Sequence, residues 1–169
     1  LAEQGCDLLM MEMMLTHEFA IDLEFQAEIA AIAKRTGLPV WVGIALKMAD
    51  SGTLHLQDGA EDTGEALHTG IQALLAEGAD VAGIMHSEVE ATLPALDLLD
   101  QYWSGPVAVY PNSGTYTRPH WHFDSIVAPD KFAADAMQWV ERGVKAIGGC
   151  CGLGPDHISK LSKALGRNH

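Results

Sequence analysis

Apolar positions along the chain fall into two alternating patterns, short continuous runs and longer stretches of helical spacing. Asp7 opens an apolar run that reaches Met14 and is broken only by Glu12. Residues 21–35 then place Ile21, Phe25, Ile29 and Ile32 on one helical face, and Gly37 supplies a natural stop. The run 38–46 (LPVWVGIAL) has no polar alternation and predicts a strand buried on both faces. Residues 63–77 carry Leu67, Ile71, Leu74 and Leu75 at helical spacing and close at Gly78; residues 80–85 predict the next strand.

Ser87-Glu88-Val89-Glu90 has the form of a capping box, which predicts a helix starting directly after His86 and carrying Val89, Leu93, Leu96 and Leu99. Residues 106–110 form a fourth strand, followed by a long polar loop over 111–128. A helix over 131–142 turns Phe132, Ala136, Met137 and Val140 inward, and Gly143 ends it. Residues 144–149 are the fifth strand, and Pro155 suits the first position of a closing helix with Ile158, Leu161 and Leu165 on one face. Strands alternating with helices imply a parallel sheet joined by right-handed crossovers. Five such strands fit an open doubly wound sheet or part of an eight-stranded barrel. No Gly-rich phosphate fingerprint follows the first strand, so a nucleotide-binding sheet has no support.

Composition narrows the function classes. Ten Lys plus Arg against 23 Asp plus Glu give a formal charge of −13, the wrong sign for a nucleic-acid partner or an anionic membrane. No apolar run approaches the roughly 20 residues of a membrane span, and no signal-peptide pattern opens the chain, so a cytoplasmic location is expected. Three Cys, two of them adjacent, make no disulfide framework and point to metal or redox chemistry. The chain opens on Leu1 at a helix-to-strand junction, so it reads as a fragment or as a sequence whose natural beginning lies elsewhere.

In parallel α/β folds the chemistry sits at the carboxyl ends of the strands. Those positions hold Glu12, Lys47, Asp50, His86, Asn112, Cys150 and Cys151. Adjacent thiolates reach one metal only where the strand twists at its end, since successive side chains otherwise face opposite sides. Gly148, Gly149 and Gly152 permit that twist, and a helix starting shortly afterwards should favour ionised thiols. His86 adds an imidazole, so the three residues supply three zinc donors and leave a fourth position open. Glu12, alone in an apolar run, calls for a cationic partner, either a ligand or a neighbouring Arg or Lys. His120 and His122 flank Trp121 in the long loop and read as surface residues, Cys6 as a packing residue.

Gly148-Gly149-Cys150-Cys151-Gly152, followed by Pro155-Asp156-His157-Ile158, resembles the closing zinc motif of the homocysteine S-methyltransferase family. That family includes betaine-, S-methylmethionine- and cobalamin-linked enzymes. The likeness runs the length of the chain: Gly5-Cys6-Asp7 through Glu12, Gly52-Thr53 with Asp58-Gly59, and Tyr110-Pro111-Asn112-Ser113-Gly114 are each similar to family segments. The resemblance implies a (β/α)8 TIM barrel, of which this chain supplies about the last five β/α units, with residues 1–169 as a single domain lacking its N-terminal strands. It implies Zn2+ held by Cys150 and Cys151, Glu12 on the amino group of an amino-acid substrate, Asn112 in the substrate pocket, and methyl transfer to a thiolate. The partners implied are a small thiol and a methyl donor, with a homodimer or a complementary N-terminal segment covering the exposed edges.

Two departures stand out. The family's third zinc ligand is a Cys in a Gly-x-Asn-Cys motif, where this chain reads Gly83-Ile84-Met85-His86. A His–Cys–Cys site carries one negative charge fewer than a three-thiolate site. The family's early Asp-Gly strand has no counterpart in the sequence. Two other readings stay open at this level: a metal-binding but catalytically silent relative, and an aldolase-type barrel with Lys47 as a Schiff-base nucleophile.

Overall fold

The structure, a computed structural model, describes residues 2–15, 23–56, 64–117 and 119–167. Ile21, Asp58-Gly59 and Thr63, used above, lie outside them. In chain order the elements are β1 (Leu9–Met14), α1 (Leu23–Lys34), β2 (Val40–Ile44), β3 (Leu46–Met48), β4 (Leu54–Leu56), α2 (Gly64–Ala76) and β5 (Val81–Glu88). There follow α3 (Thr92–Leu99), β6 (Val107–Asn112), β7 (Thr115–Thr117), β8 (His120–His122), α4 (Pro129–Glu141), β9 (Ala146–Ile147) and α5 (Pro155–Ala164).

The five expected strands form one parallel sheet in the order β1-β2-β5-β6-β9. A doubly wound sheet reverses its strand order at a switch point. Here the order follows the sequence without reversal, which is an arc of a barrel. The register Met11↔Val42↔Ala82↔Val107 and the two-residue alternation assign each side chain to a face. The outer set, which includes Val40, Val42, Ile44, Ala82, Ile84 and Val109, is buried in one core with residues from all five helices. The inner set carries Met10, Glu12, Trp41, Gly43, Met85 and Tyr110. A Cβ on Gly43 would lie 2.6 Å from both Met85 Sδ and the Tyr110 hydroxyl, so this position gives room to the two large side chains beside it.

Helix α4 corrects the expected inward face. Trp139 is fully buried and meets the ring of Phe132 edge-on at 5.8 Å, whereas Met137 and Val140 are half-buried. Phe132 and Ala136 are buried as expected, and Trp139 fills the volume assigned to Met137 and Val140. At the end of α4, Arg142 forks onto Asp97 (2.5 Å) and Asp100 (2.6 Å) of the α3 region.

Three local expectations change. Strand β5 continues through His86 to Glu88, and α3 starts only at Thr92 after a short 3-10 turn, so the box at Ser87 does not form. Its hydroxyl is engaged elsewhere, donating to Met85 O and accepting from Leu46 N, both at 2.9 Å. The run 38–46 breaks at Ala45, and Leu46 begins an antiparallel hairpin of β3 with β4. The loop 111–128 contains a second hairpin, β7 with β8. No helix among the described residues is long and apolar enough to cross a membrane.

Candidate metal centre

The cysteine pair is carried by backbone pairing rather than by a long strand. β9 has two residues, yet the chain beyond it stays alongside β6. Gly148 N donates to Val109 O, Cys150 N to Pro111 O, and Ser113 N to Cys151 O, each at 2.8 Å. Leu153 N returns to Cys150 O at 3.2 Å and closes a turn around the pair. Gly152 makes that turn possible: its φ is +78°, and a Cβ there would be driven into the carbonyl of Ser113. The twist that allows both sulfurs to face one point is thus built by glycine, as the sequence suggested.

His86 arrives from β5 through a local irregularity. The β5–β6 register shifts between Met85 and Glu88, and His86 itself has φ +46°, rare for a residue with a side chain. A bulge of this kind re-aims a side chain at a strand end. The imidazole Nδ1 lies 3.5 Å from Cys150 Sγ, and Cys150 Sγ lies 3.9 Å from Cys151 Sγ. One donor atom from each of the three residues falls within 4.8 Å of the others. Zn–S of about 2.3 Å and Zn–N of about 2.0 Å at tetrahedral angles require S···S of roughly 3.8 Å and S···N of roughly 3.5 Å. The His86–Cys150 and Cys150–Cys151 distances match these values, and the donor types, one imidazole and two thiols, are those zinc takes.

Electrostatics points the same way. Burial raises the Cys150 thiol above its ordinary value, and the neighbouring Cys151 and Glu12 charges add to that, against a lowering backbone hydrogen bond. The helix expected shortly after the pair begins at Pro155. Two thiolates in this setting need a cation to offset them. Tyr110 is also raised, first by burial and then by the charges of Glu12 and Cys150. Those couplings put Glu12 on the inner face with the cysteines, although its own side chain is exposed.

The second hairpin covers the imidazole. Trp121 meets the His86 ring edge-on at 5.4 Å, stacks on Phe123 at 5.7 Å and touches Tyr116 at 5.4 Å. His120 and His122 are exposed and stand outside the donor cluster, in keeping with their surface reading. Asn112 is buried at the end of β6, and its Oδ1 has no hydrogen-bond partner among the described residues. A small pocket beside the donor cluster is lined by Lys47, His86, Glu88, Asn112, Tyr116 and Trp121, among others. Burial raises the Glu88 carboxyl, with Lys47 opposing it. Asp50 is exposed on the turn between β3 and β4.

Sequence reasoning overlooked Tyr110, Glu88 and the place of Trp121. Tyr110 stood next to the Pro-Asn pair in the sequence, and strand alternation could have put it on the Glu12 face. Trp121 had no such signal, because it reaches His86 through a hairpin that the polar loop did not announce.

The homocysteine S-methyltransferase family profile matches residues 1–165. The chain belongs to this family. A selenocysteine methyltransferase from Astragalus bisulcatus is 29% identical over 172 residues, covering 98% of this chain and 46% of that protein. The homocysteine S-methyltransferase YbgG of Bacillus subtilis (strain 168) is 30% identical over 128 residues, 72% of this chain and 36% of the relative. Among solved structures, the metallated form of the homocysteine methyltransferase MmuM from Escherichia coli aligns with a TM-score of 0.65 at 25% identity, over 95% of this chain and 46% of that one. The chain spans about half the length, or less, of these relatives. The fold is therefore that of a TIM barrel, of which this chain holds a consecutive arc.

Proposed function

We propose that the protein to which this chain belongs is a zinc-dependent S-methyltransferase that moves a methyl group from a small donor to the thiolate of homocysteine or a related thiol. The observation that carries this reading is the His86–Cys150–Cys151 cluster, whose donor atoms lie within 4.8 Å of one another and supply three of the four ligands that zinc takes, the fourth being the substrate sulfur in this proposal. Zinc, when bound there, would lower the pKa of the substrate thiol and fix its sulfur. The chain's own residues then bind and orient. Glu12 offers its carboxylate to the substrate's amino group from the inner face, on the side of Cys150. Asn112 Oδ1, buried and without a partner among the described residues, offers an acceptor to a substrate N–H. Trp121 packs against the His86 ring and limits the access of water to it. In the transfer, sulfur attacks the methyl carbon in line. The donor's bond to that carbon breaks with its electron pair staying on the donor, and the thiol proton has already passed to solvent. Orientation supplies most of the rate for such a displacement.

The inner face is open at Met10, which is 39% exposed, and β1 and β9 each have one sheet neighbour among the described residues. This supports coverage by a complementary N-terminal segment or a second copy of the chain. A cytoplasmic location suits the free thiols. Lys47 is exposed on the β3–β4 hairpin, outside the main sheet, so the Schiff-base reading gains no support from its position.

The test is methyl transfer by the zinc-loaded full-length protein, offered homocysteine and selenocysteine with isotopically labelled S-methylmethionine or betaine. Labelled methionine or Se-methylselenocysteine, lost in Cys151→Ala, supports the reading. Tight zinc with no transfer from either donor favours the silent relative.

A further inference from the structure

The metal donors are held by a turn, and the turn is held by a closed circuit of hydrogen bonds that passes through two residues with no assigned role. Ser113 N donates to Cys151 O at 2.8 Å. The Ser113 hydroxyl accepts from Val127 N at 2.8 Å. Val127 O lies 2.7 Å from Nε2 of His157, and Gly154 N donates to His157 Nδ1 at 3.2 Å. Gly154 is three residues beyond Cys151, so the circuit returns to the cysteine turn. Its second tie is Cys150 N to Pro111 O.

The chemistry of the circuit fixes the state of His157. A carbonyl oxygen only accepts and a backbone N–H only donates, so the ring must carry its proton on Nε2 and present a bare Nδ1. The ring is 8% exposed and meets Phe132 of the buried core edge-on at 5.8 Å. A core aromatic therefore sets the ring plane, and the ring sets the spacing between the start of α5 and the segment that leads from the second hairpin into α4. With Ser113 at the opposite corner, the backbone carrying Cys150 and Cys151 is pinned from both sides. Neither His157 nor Ser113 belongs to the donor cluster.

We infer that His157 and Ser113 are positioning residues of the metal centre, acting through the backbone of the cysteine turn rather than on substrate. The inference rests on the zinc reading for its consequence, but the circuit itself does not need the metal. Without the His157 ring, the turn would still be possible, yet the two sulfurs would no longer be held at their spacing before metal arrives. Outer partners of metal ligands typically change metal affinity by about 10–100-fold when removed.

The experiment compares full-length wild type with His157→Ala, His157→Gln and Ser113→Ala. Zinc release to a chelator and the thiolate-to-metal absorption of the cobalt-substituted protein are the first readouts. His157→Ala should release zinc about tenfold faster or more and shift the cobalt band. His157→Gln should recover most of this, because an amide can accept from Gly154 N and donate to Val127 O at once. Release and spectrum unchanged in both Ala variants, or Gln no better than Ala, would overturn the inference. Amide hydrogen exchange on the metal-free protein separates this from failure of the zinc reading. Faster exchange at Ser113, Cys150 and Val127 in His157→Ala, with Val42 and Ile84 unchanged, supports the circuit even if wild type binds no zinc. Exchange at all five sites equal to wild type would overturn it.

Discussion

On its outer face the sheet presents Val40, Val42, Ile44, Ala82, Ile84 and Val109, buried in one core with helical residues such as Ile71, Leu74, Leu99, Phe132 and Trp139. On the inner face and at the carboxyl rim, the same sheet carries a different chemistry. Glu12 is exposed there, the Tyr110 hydroxyl is raised by burial and nearby charge, and the Asn112 acceptor is buried with no partner among the described residues. The outer face is satisfied from within, because shape and apolar area account for it. The rim is not, because a buried acceptor calls for a donor and clustered thiols call for a cation. Burial marks what holds the fold, and unmet polar need marks what the fold is for.

The largest effect that would break this contrast belongs to the outer face. Trp139→Ala removes a fully buried side chain and should cost about 3–5 kcal/mol, measured by urea unfolding of the full-length protein. A loss below about 1 kcal/mol would mean that the core is not assembled as described. Next is Gly152→Ala, which forces a side chain into the Ser113 carbonyl at positive φ. We expect about 1–3 kcal/mol of destabilisation together with loss of bound zinc, while far-ultraviolet circular dichroism stays near wild type. Retained zinc would show that the turn tolerates a different path.

Asn112→Ala sharpens the contrast from the rim. Deleting a buried acceptor that has no partner among the described residues should change stability by less than about 1 kcal/mol, yet raise the KM for the thiol substrate about tenfold. An unchanged KM would remove Asn112 from the substrate pocket. The smallest effect is on the surface. Asp80 accepts from Lys34 Nζ at 2.8 Å and Val40 N at 2.7 Å, and these bonds, the lysine's first, hold its carboxyl below the ordinary value of 3.8. Its folded pKa is the lower one, so its stabilisation is present above 3.8 and fades as pH falls through the depressed value. The stability gap between wild type and Asp80→Asn should therefore be widest near neutral pH and narrow in acid. A gap that widens in acid would contradict the sign.

Much of the fold was legible because the strands are short apolar runs separated by helices of clear spacing, each closed by a glycine such as Gly37 or Gly78. The donor cluster was legible for a related reason: His86, Cys150 and Cys151 all follow apolar strand runs, and a parallel sheet brings strand ends together. What stayed hidden depends on partners distant in sequence. Ser87 looks like a helix cap until Leu46 N takes its hydroxyl. Both hairpins are fixed by pairing rather than by an apolar pattern, as the exposed Thr115–Thr117 strand shows. The direction of the Cys150 shift depends on burial and on Glu12 across the sheet, neither of which local sequence displays.

The central claim is that His86 completes a zinc site with Cys150 and Cys151. Zinc content of the full-length protein, measured by elemental analysis for wild type, His86→Ala and Cys151→Ala, tests it most directly. The expected result is near-stoichiometric zinc in wild type and its loss in both variants. Zinc retained by His86→Ala would mean that another residue supplies the third donor, and no zinc in wild type would contradict the site altogether.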